Sequence, residues 1–330
     1  MATTPAKRAC SVCGTLLADD SPYCPVCALR GAVETQSDSV SDTSSELRFE
    51  HYQVLRNQDG KPFELGHGGM GVTYKAVDVN LQCAVALKVI NTRFIGDESA
   101  TRRFVREARA AASVRHPNVA SVFHLGITAQ NYFYAMEFVE GETLERLIRR
   151  CARLEPKIAL EITSQVAAGL VAIHEQNLVH RDIKPTNIMV SLKDEGRIIA
   201  KIIDLGLAKP LDAPTEVAIS TPGVFAGTPA FASPEQFAGI GVDIRSDLYS
   251  LGVVLWEMVT GHVMFRGSPA EVMYQHQHAR LPVEQLKDVP EPVVALLEAL
   301  LEKDPARRFQ NPTELLKAVP TVTDAIDTGR

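Results

Sequence analysis

The sequence predicts an α+β fold of two lobes, with strands in the first and helices in the second. Two observations predict it. Between His51 and Val139 the apolar residues fall mostly into short runs rich in β-branched side chains and separated by polar turns. Beyond Gly141 they recur at helical spacing. The changeover at Gly141 predicts a cleft between the lobes.

Taken in order, Tyr74 to Val77 and Cys83 to Ile90 read as strands joined by a polar turn. A helix follows over roughly 99–114, with Phe104, Ala108, Ala111 and Val114 on one face. Tyr132 to Phe138 is another strand. Ile158, Ile162, Val166, Leu170 and Ile173 form one helical stripe, and Leu248, Leu251, Leu255 and Met258 form a second. The polar stretch from Ser191 to Arg197 reads as the exposed turn of a hairpin.

The chain of 330 residues is 45% hydrophobic and 22% charged, a composition that supports a sizeable core. Its net charge of −6 argues against a general nucleic-acid binder or an anionic-membrane binder, which carry a basic excess. No unbroken apolar run reaches the length of a membrane span, and no apolar segment follows the first residues as in a secretory leader. The expected location is the cytoplasm.

The organisation reads as four segments. Residues 1–30 hold four of the six cysteines. Residues 31–50 are rich in Ser, Thr, Asp and Glu, bury too little to offset their ordering entropy, and read as a flexible linker. Residues 51–318 form the globular body, divided into 51–137 and 141–318, and residues 319–330 form a tail.

Cys10 and Cys13 form one CxxC pair, Cys24 and Cys27 a second. Two such turns place four thiolates around a tetrahedral Zn²⁺. Two disulfides, or four unrelated buried cysteines, are the alternatives; disulfides fit poorly in a cytoplasmic chain. A segment this short builds little core, so structural zinc is expected to hold it folded. Lys7, Arg8 and Arg30 are offset by Asp19 and Asp20, which favours docking to a protein, or a structural role, over binding nucleic acid.

Residues 180–187 read His-Arg-Asp-Ile-Lys-Pro-Thr-Asn, and Asp204 opens an Asp-Leu-Gly triplet 22 residues after Asp182. Upstream, Gly66, Gly68 and Gly71 fit GxGxxG, followed by a strand rather than the helix of a dinucleotide fold. Lys88 sits alone among Val85, Ala86, Leu87, Val89 and Ile90, so it needs a buried partner. In this order, the motifs resemble those of the eukaryotic-like Ser/Thr protein kinases of bacteria, over about 80% of the chain. The cysteine cluster resembles a short zinc ribbon.

That resemblance implies a bilobal protein-kinase fold preceded by a zinc ribbon, and transfer of the γ-phosphate of ATP to Ser/Thr hydroxyls of proteins. It implies an ATP site at Leu65, Gly66, His67, Gly68, Gly69, Met70, Gly71, Val72 and Thr73, with Ala86, Lys88 and the hinge residues Met136, Glu137 and Val139. Thr73 stands where the family prefers Val. Lys88 is implied to hold the phosphates and to pair with Glu107. Asp182 takes or orients the substrate proton, Lys184 neutralises charge on the transferring phosphate, and Asn187 and Asp204 hold Mg²⁺ or Mn²⁺. Leu205 replaces the commoner Phe.

Arg181 is implied to pair with a phosphorylated activation loop, where Ser220 and Thr221 are the expected autophosphorylation sites. Thr228 is implied to face Asp182 on the substrate side. Glu235 is expected to pair with Arg308, and Asp247 to cap its helix and brace the catalytic loop. The alternative is a pseudokinase or nucleotide-sensing scaffold that signals through the ribbon; such proteins usually lose the strand Lys, the catalytic Asp or the metal Asp, and none is lost here.

Overall fold

The computed structural model describes residues 47–68, 71–91, 98–128, 131–193, 196–205, 209–210, 229–239 and 241–329. Cys10, Cys13, Cys24, Cys27, Gly69, Met70, Ser220, Thr221 and Thr228 lie outside these residues.

The first lobe is an antiparallel sheet. Its strands are β1 (Arg48–Phe49), β2 (Tyr52–Val54), β3 (Glu64–Gly68), β4 (Gly71–Asp78), β5 (Cys83–Asn91), β6 (Val122–Ile127) and β7 (Asn131–Glu137), with helix α1 (Glu98–Ser113) between β5 and β6. They lie in the order β1-β2-β4-β5-β7-β6, and β3 pairs with β4. The sheet thus begins at Arg48, inside the stretch read from sequence as linker. Asp78 closes the β4–β5 turn by accepting the N–H groups of Asn80 and Leu81 at 2.9 and 3.0 Å.

Strand alternation gives the sheet two distinct faces. Val85, Leu87, Phe133 and Ala135 pack with Phe49, Tyr52, Val54 and Ala76 on one. Ala86, Ile90, Tyr134, Met136 and Val122 make the other, joined by Val105 and Ala112 of α1. Lys88, two residues from both Ala86 and Ile90, belongs by the same alternation to this second face.

The second lobe comprises β8 (Glu142–Thr143), α2 (Leu144–Cys151), α3 (Pro156–Glu175), β9 (Leu178–Val179), β10 (Ile188–Leu192), β11 (Ile198–Ile202), β12 (Lys209–Pro210), α4 (Pro234–Ala238), α5 (Ile244–Thr260), α6 (Pro269–His278), α7 (Glu291–Leu300) and α8 (Pro312–Thr328). Ile162, Val166, Leu170 and Ile173 of α3 meet Leu248, Leu251, Leu255 and Met258 of α5 in one core, all fully buried. Burying each such side chain contributes about 1.5–3 kcal/mol. The two helical stripes read from sequence are the two sides of this contact, and Ile158 packs at its margin.

β10 and β11 form the hairpin expected around Ser191 to Arg197, with Leu192 opposite Ile198. Gly141 has φ +127°, and a Cβ there would lie 2.3 Å from the carbonyl oxygen of Val190, so the chain passes between the lobes against the backbone of β10 with room for no side chain.

Helix α3 alone is long and apolar enough, among the described residues, to cross a membrane. Here it is a core helix, and Lys157 and Glu161 interrupt its apolar run. Helix α8 runs past residue 318 to Thr328; Leu315 and Val319 are buried and Val322 and Ile326 pack against the core, so residues 319–328 continue a helix rather than form a separate tail. The cap of α5 also differs from the sequence expectation. Asp243 is the N-cap and accepts the N–H of Arg245 at 2.9 Å. Asp247 lies inside the first turn, where its carboxylate is turned to another use.

Candidate active site

The loop between β9 and β10 carries His180 to Asn187. Its backbone is fixed from below. Asp247 accepts the N–H of His180 and the N–H of Arg181, one on each oxygen, both at 2.7 Å. Two donors at fixed spacing hold Arg181 in the left-handed region, φ 65°, which a side chain adopts only under outside constraint. Gln236 donates its Nε2 to the Arg181 carbonyl at 2.9 Å, tying the start of α4 to the same residue. Complete burial pushes the Asp247 carboxyl up to about 7, against the pull of the two N–H groups and of Arg181.

His180 is buried, and burial pushes its imidazole down, so the ring is neutral. Its Nδ1 accepts the N–H of Asp182 at 3.2 Å, which leaves the ring proton on Nε2. Asn187 is buried in the short turn 185–187 and donates Nδ2 to both the Asp182 carbonyl and Asp182 Oδ2, each at 2.9 Å. Lys184 Nζ lies 2.8 Å from the same Oδ2. With its side chain 40% exposed and Oδ2 doubly engaged, Asp182 has Oδ1 open to take a further donor.

Asn187 also joins this loop to Asp204, for its carbonyl accepts the N–H of Ile203 at 2.8 Å. Asp204 has φ 58°, a second non-glycine residue in the left-handed region. Its Oδ2 is ion-paired with Lys88. Its Oδ1 accepts the hydroxyl of Tyr134 at 3.1 Å. Burial raises the Asp204 carboxyl, but the Lys88 ammonium and its hydrogen bond, with that of Tyr134, outweigh this and hold it below the usual carboxylate range. Tyr134 moves the other way: burial and the Asp204 charge push its phenol well up.

Among the described residues, Lys88 is ion-paired with Asp204. Glu107 lies on α1, and its side chain is outside the described residues. The oxygen donors fit a hard divalent cation. The Asn187 amide nitrogen is spent on Asp182, so its carbonyl oxygen points elsewhere, and each Asp204 oxygen retains a lone pair. Asn187 and Asp204 would hold such an ion, which supplies charge neutralisation between phosphate oxygens when bound.

The glycine hairpin is β3–β4. Gly71 lies close against β5: a Cβ there would meet the Val89 carbonyl oxygen at 1.9 Å. Gly66 pairs with Thr73, His67 with Val72, and Thr73 lies directly across from Lys88. Ala86 and Met136 are cross-strand neighbours and both buried. Glu137 donates its N–H to the Ser121 carbonyl at 2.8 Å and ion-pairs with Lys201, and Val139 follows half-buried. Leu65 is exposed.

Beyond the cleft, Ser233 starts α4 with a capping box to Gln236. Glu235 is buried against Arg308, as expected from sequence, and also accepts the Ser246 hydroxyl at 2.6 Å. Burial raises the Glu235 carboxyl, but Arg308 reverses this and holds it low. A second chain of contacts reaches the segment before α4. Lys303 Nζ donates to the Tyr249 hydroxyl at 3.3 Å, that hydroxyl donates to His276 Nδ1 at 2.9 Å, and His276 Nε2 donates to the Ala230 carbonyl at 3.1 Å. A carbonyl only accepts, so the tautomer and every donor follow from that last contact. Burial and the charge of Lys303 push His276 down to about 4, and burial and Arg308 push Lys303 down to about 8.

Sequence reasoning missed Tyr134 and Gln236. The signal for Tyr134 was its place two residues before Met136 on the same strand face, but only the register, Lys88 opposite Tyr134, brings it to Asp204.

The partly exposed Asp182 carboxylate and the Asn187–Asp204 connection through Ile203 are the arrangement of the protein-kinase class. The family model of the protein kinase domain matches residues 61–319, and the chain belongs to that family. It is 38% identical over 272 residues to a probable serine/threonine-protein kinase of Clostridium acetobutylicum, which covers 82% of this chain and 40% of that protein. It is 35% identical over 277 residues to serine/threonine-protein kinase PrkC of Bacillus subtilis, covering 83% and 41%. It is 36% identical over 249 residues to serine/threonine-protein kinase PknL of Mycobacterium tuberculosis, covering 74% and 61%. The chain thus spans less than two thirds of the length of these relatives.

Proposed function

We propose that this chain is an ATP-dependent Ser/Thr protein kinase. The observation that carries the reading is the joining of Asp182, Asn187 and Asp204 into one hydrogen-bonded unit, with Lys184 and Lys88 each on a carboxylate. Positioning and fixed charge are what phosphoryl transfer requires. The oxygen of a Ser or Thr hydroxyl forms a bond to the terminal phosphorus, and the bridging P–O bond to the nucleoside diphosphate breaks. Asp182 orients the hydroxyl and receives its proton. Lys184 and Lys88 offset the charge on the phosphate oxygens.

Three finer readings belong to the same proposal. Ser220 or Thr221 is autophosphorylated and the phosphate is drawn to Arg181. Cys10, Cys13, Cys24 and Cys27 hold structural zinc, and the ribbon docks a protein rather than nucleic acid; the CxxC spacing supports this. The kinase works in the cytoplasm, where thiolates stay reduced.

The test is incubation of the purified chain with γ-labelled ATP and Mg²⁺ beside Asp182→Asn. Label on the wild type alone, on Ser or Thr, is the expected result. No label on the wild type or on generic acceptor proteins, with nucleotide still bound, would favour a nucleotide-sensing scaffold. Metal analysis of the same preparation should return one zinc per chain, lost in Cys24→Ser.

A further inference from the structure

We propose that Tyr134 is a positioning residue for Asp204, setting the carboxylate that takes the divalent cation. The inference rests on the reading of Asp204 as a metal-binding carboxylate in an active kinase, and adds a residue from the opposite lobe to its control.

The argument begins with register. β5 and β7 pair so that Lys88 lies directly opposite Tyr134. Directly opposed residues share a sheet face, so ammonium and phenol emerge side by side. The Lys88 ammonium sits 5.8 Å from the centre of the Tyr134 ring. Both reach the same carboxylate, Lys88 at Oδ2 and Tyr134 at Oδ1, 3.1 Å away. The ring is buried, 6% exposed, between Ala86, Met136 and the α1 side of the sheet, so its hydroxyl has one direction to face.

The consequence concerns rotation. A carboxylate turns about a broad two-fold torsion, and an unrestrained one presents its lone pairs in many directions. Here the αL backbone of Asp204 fixes the direction of Cα–Cβ. A donor on each oxygen then fixes the plane of the carboxylate. Each donor occupies one of two lone pairs, so one on each oxygen stays open. The cation meets a carboxylate already oriented, and the ordering cost is met when the chain folds. Restraining a side chain in this way is worth about three- to tenfold in affinity.

A packing role alone makes a different forecast. Tyr134→Phe keeps the ring and removes only the hydroxyl. The experiment measures Mn²⁺ binding by electron paramagnetic resonance with ADP saturating, in wild type, Tyr134→Phe and Asp204→Asn, with ADP affinity in EDTA as the control for an intact cleft. We expect Tyr134→Phe to bind ADP in EDTA within twofold of wild type and Mn²⁺ about three- to tenfold more weakly. The Mg²⁺ concentration for half-maximal activity should rise by the same factor. Unchanged Mn²⁺ affinity in folded Tyr134→Phe would overturn the role of Tyr134 and leave Asp204 as the metal carboxylate. Wild-type Mn²⁺ binding by Asp204→Asn would overturn the underlying reading, and the proposal with it. If Tyr134→Phe does not fold, Tyr134→Met fills the same space and is held to the same outcomes.

Discussion

Glu235 and Arg308, 73 positions apart in the chain, meet as a buried bidentate pair at 2.7 and 2.9 Å. All five N–H groups of the guanidinium find acceptors, for the remaining three go to the carbonyls of Glu302, Arg245 and Lys303 at 2.7, 3.1 and 3.0 Å. The pair clamps the start of α4 to the loop before α8.

Breaking that clamp from one side leaves a charge buried without its partner. Arg308→Ala is expected to lose about 3–5 kcal/mol of stability, read as a lower midpoint in urea unfolding. Replacing both partners, Glu235→Gln with Arg308→Met, should recover part of the loss, because no unpaired charge then remains.

The neutral state of His276 gives the fold an acid limit. Its imidazole is pushed down to about 4 in the fold, against the ordinary value of 6.5 in the unfolded chain. As pH falls from 6.5 towards 4, the unfolded chain takes up a proton that the fold refuses, so stability falls with pH across that window. The contribution approaches one proton, about 1.4 kcal/mol per pH unit. Unfolding free energies at several pH values should show this slope, and His276→Gln should flatten it.

Asp247 should matter to catalysis without touching substrate. In Asp247→Asn one oxygen becomes an NH₂ facing the N–H of His180 or Arg181. The unsatisfied donors should cost about 1–3 kcal/mol and release Arg181 from its left-handed conformation. The expected result is a drop in kcat larger than the change in KM for ATP, measured in the labelling assay with a Tm taken alongside.

Lys88→Met removes the ammonium from Asp204 and from the phosphate side of the cleft. The expected fall in kcat is about 10²–10³-fold, with circular dichroism unchanged. Retention of activity within a few-fold would mean that another cation serves this position.

Gly71→Ala places a methyl group where the Val89 carbonyl stands. The β4–β5 pairing must open at the hairpin, so nucleotide affinity measured by calorimetry should fall while the second lobe keeps its structure.

The sequence announced the parts of this site that act through local spacing. His180 to Asn187 lie within one loop, and the resemblance that assigns their roles rests on their order. Glu235 and Arg308 were legible because each sits in a motif of its own. Relations set by register were not. Tyr134 meets Asp204 across 70 positions, through a strand pairing that alternation suggests but does not number. The cap of α5 was misread for a different reason. Asp243 and Asp247 stand four residues apart at the start of one helix, both of a residue type that caps, and only the backbone reveals that the first is the N-cap while the second reaches the catalytic loop.

The covering of α3 by α8 imposes an order on synthesis. Helix α3 has the length and composition of a membrane span, and its apolar side is closed in part by α8, which follows far along the chain. At about 5–20 residues per second, roughly seven to thirty seconds pass between the end of α3 and the emergence of α8. Through that interval β11 and α5 already cover part of α3, and the face that α8 takes stays open. A chaperone that holds apolar segments would meet its substrate there and lose it once α8 docks.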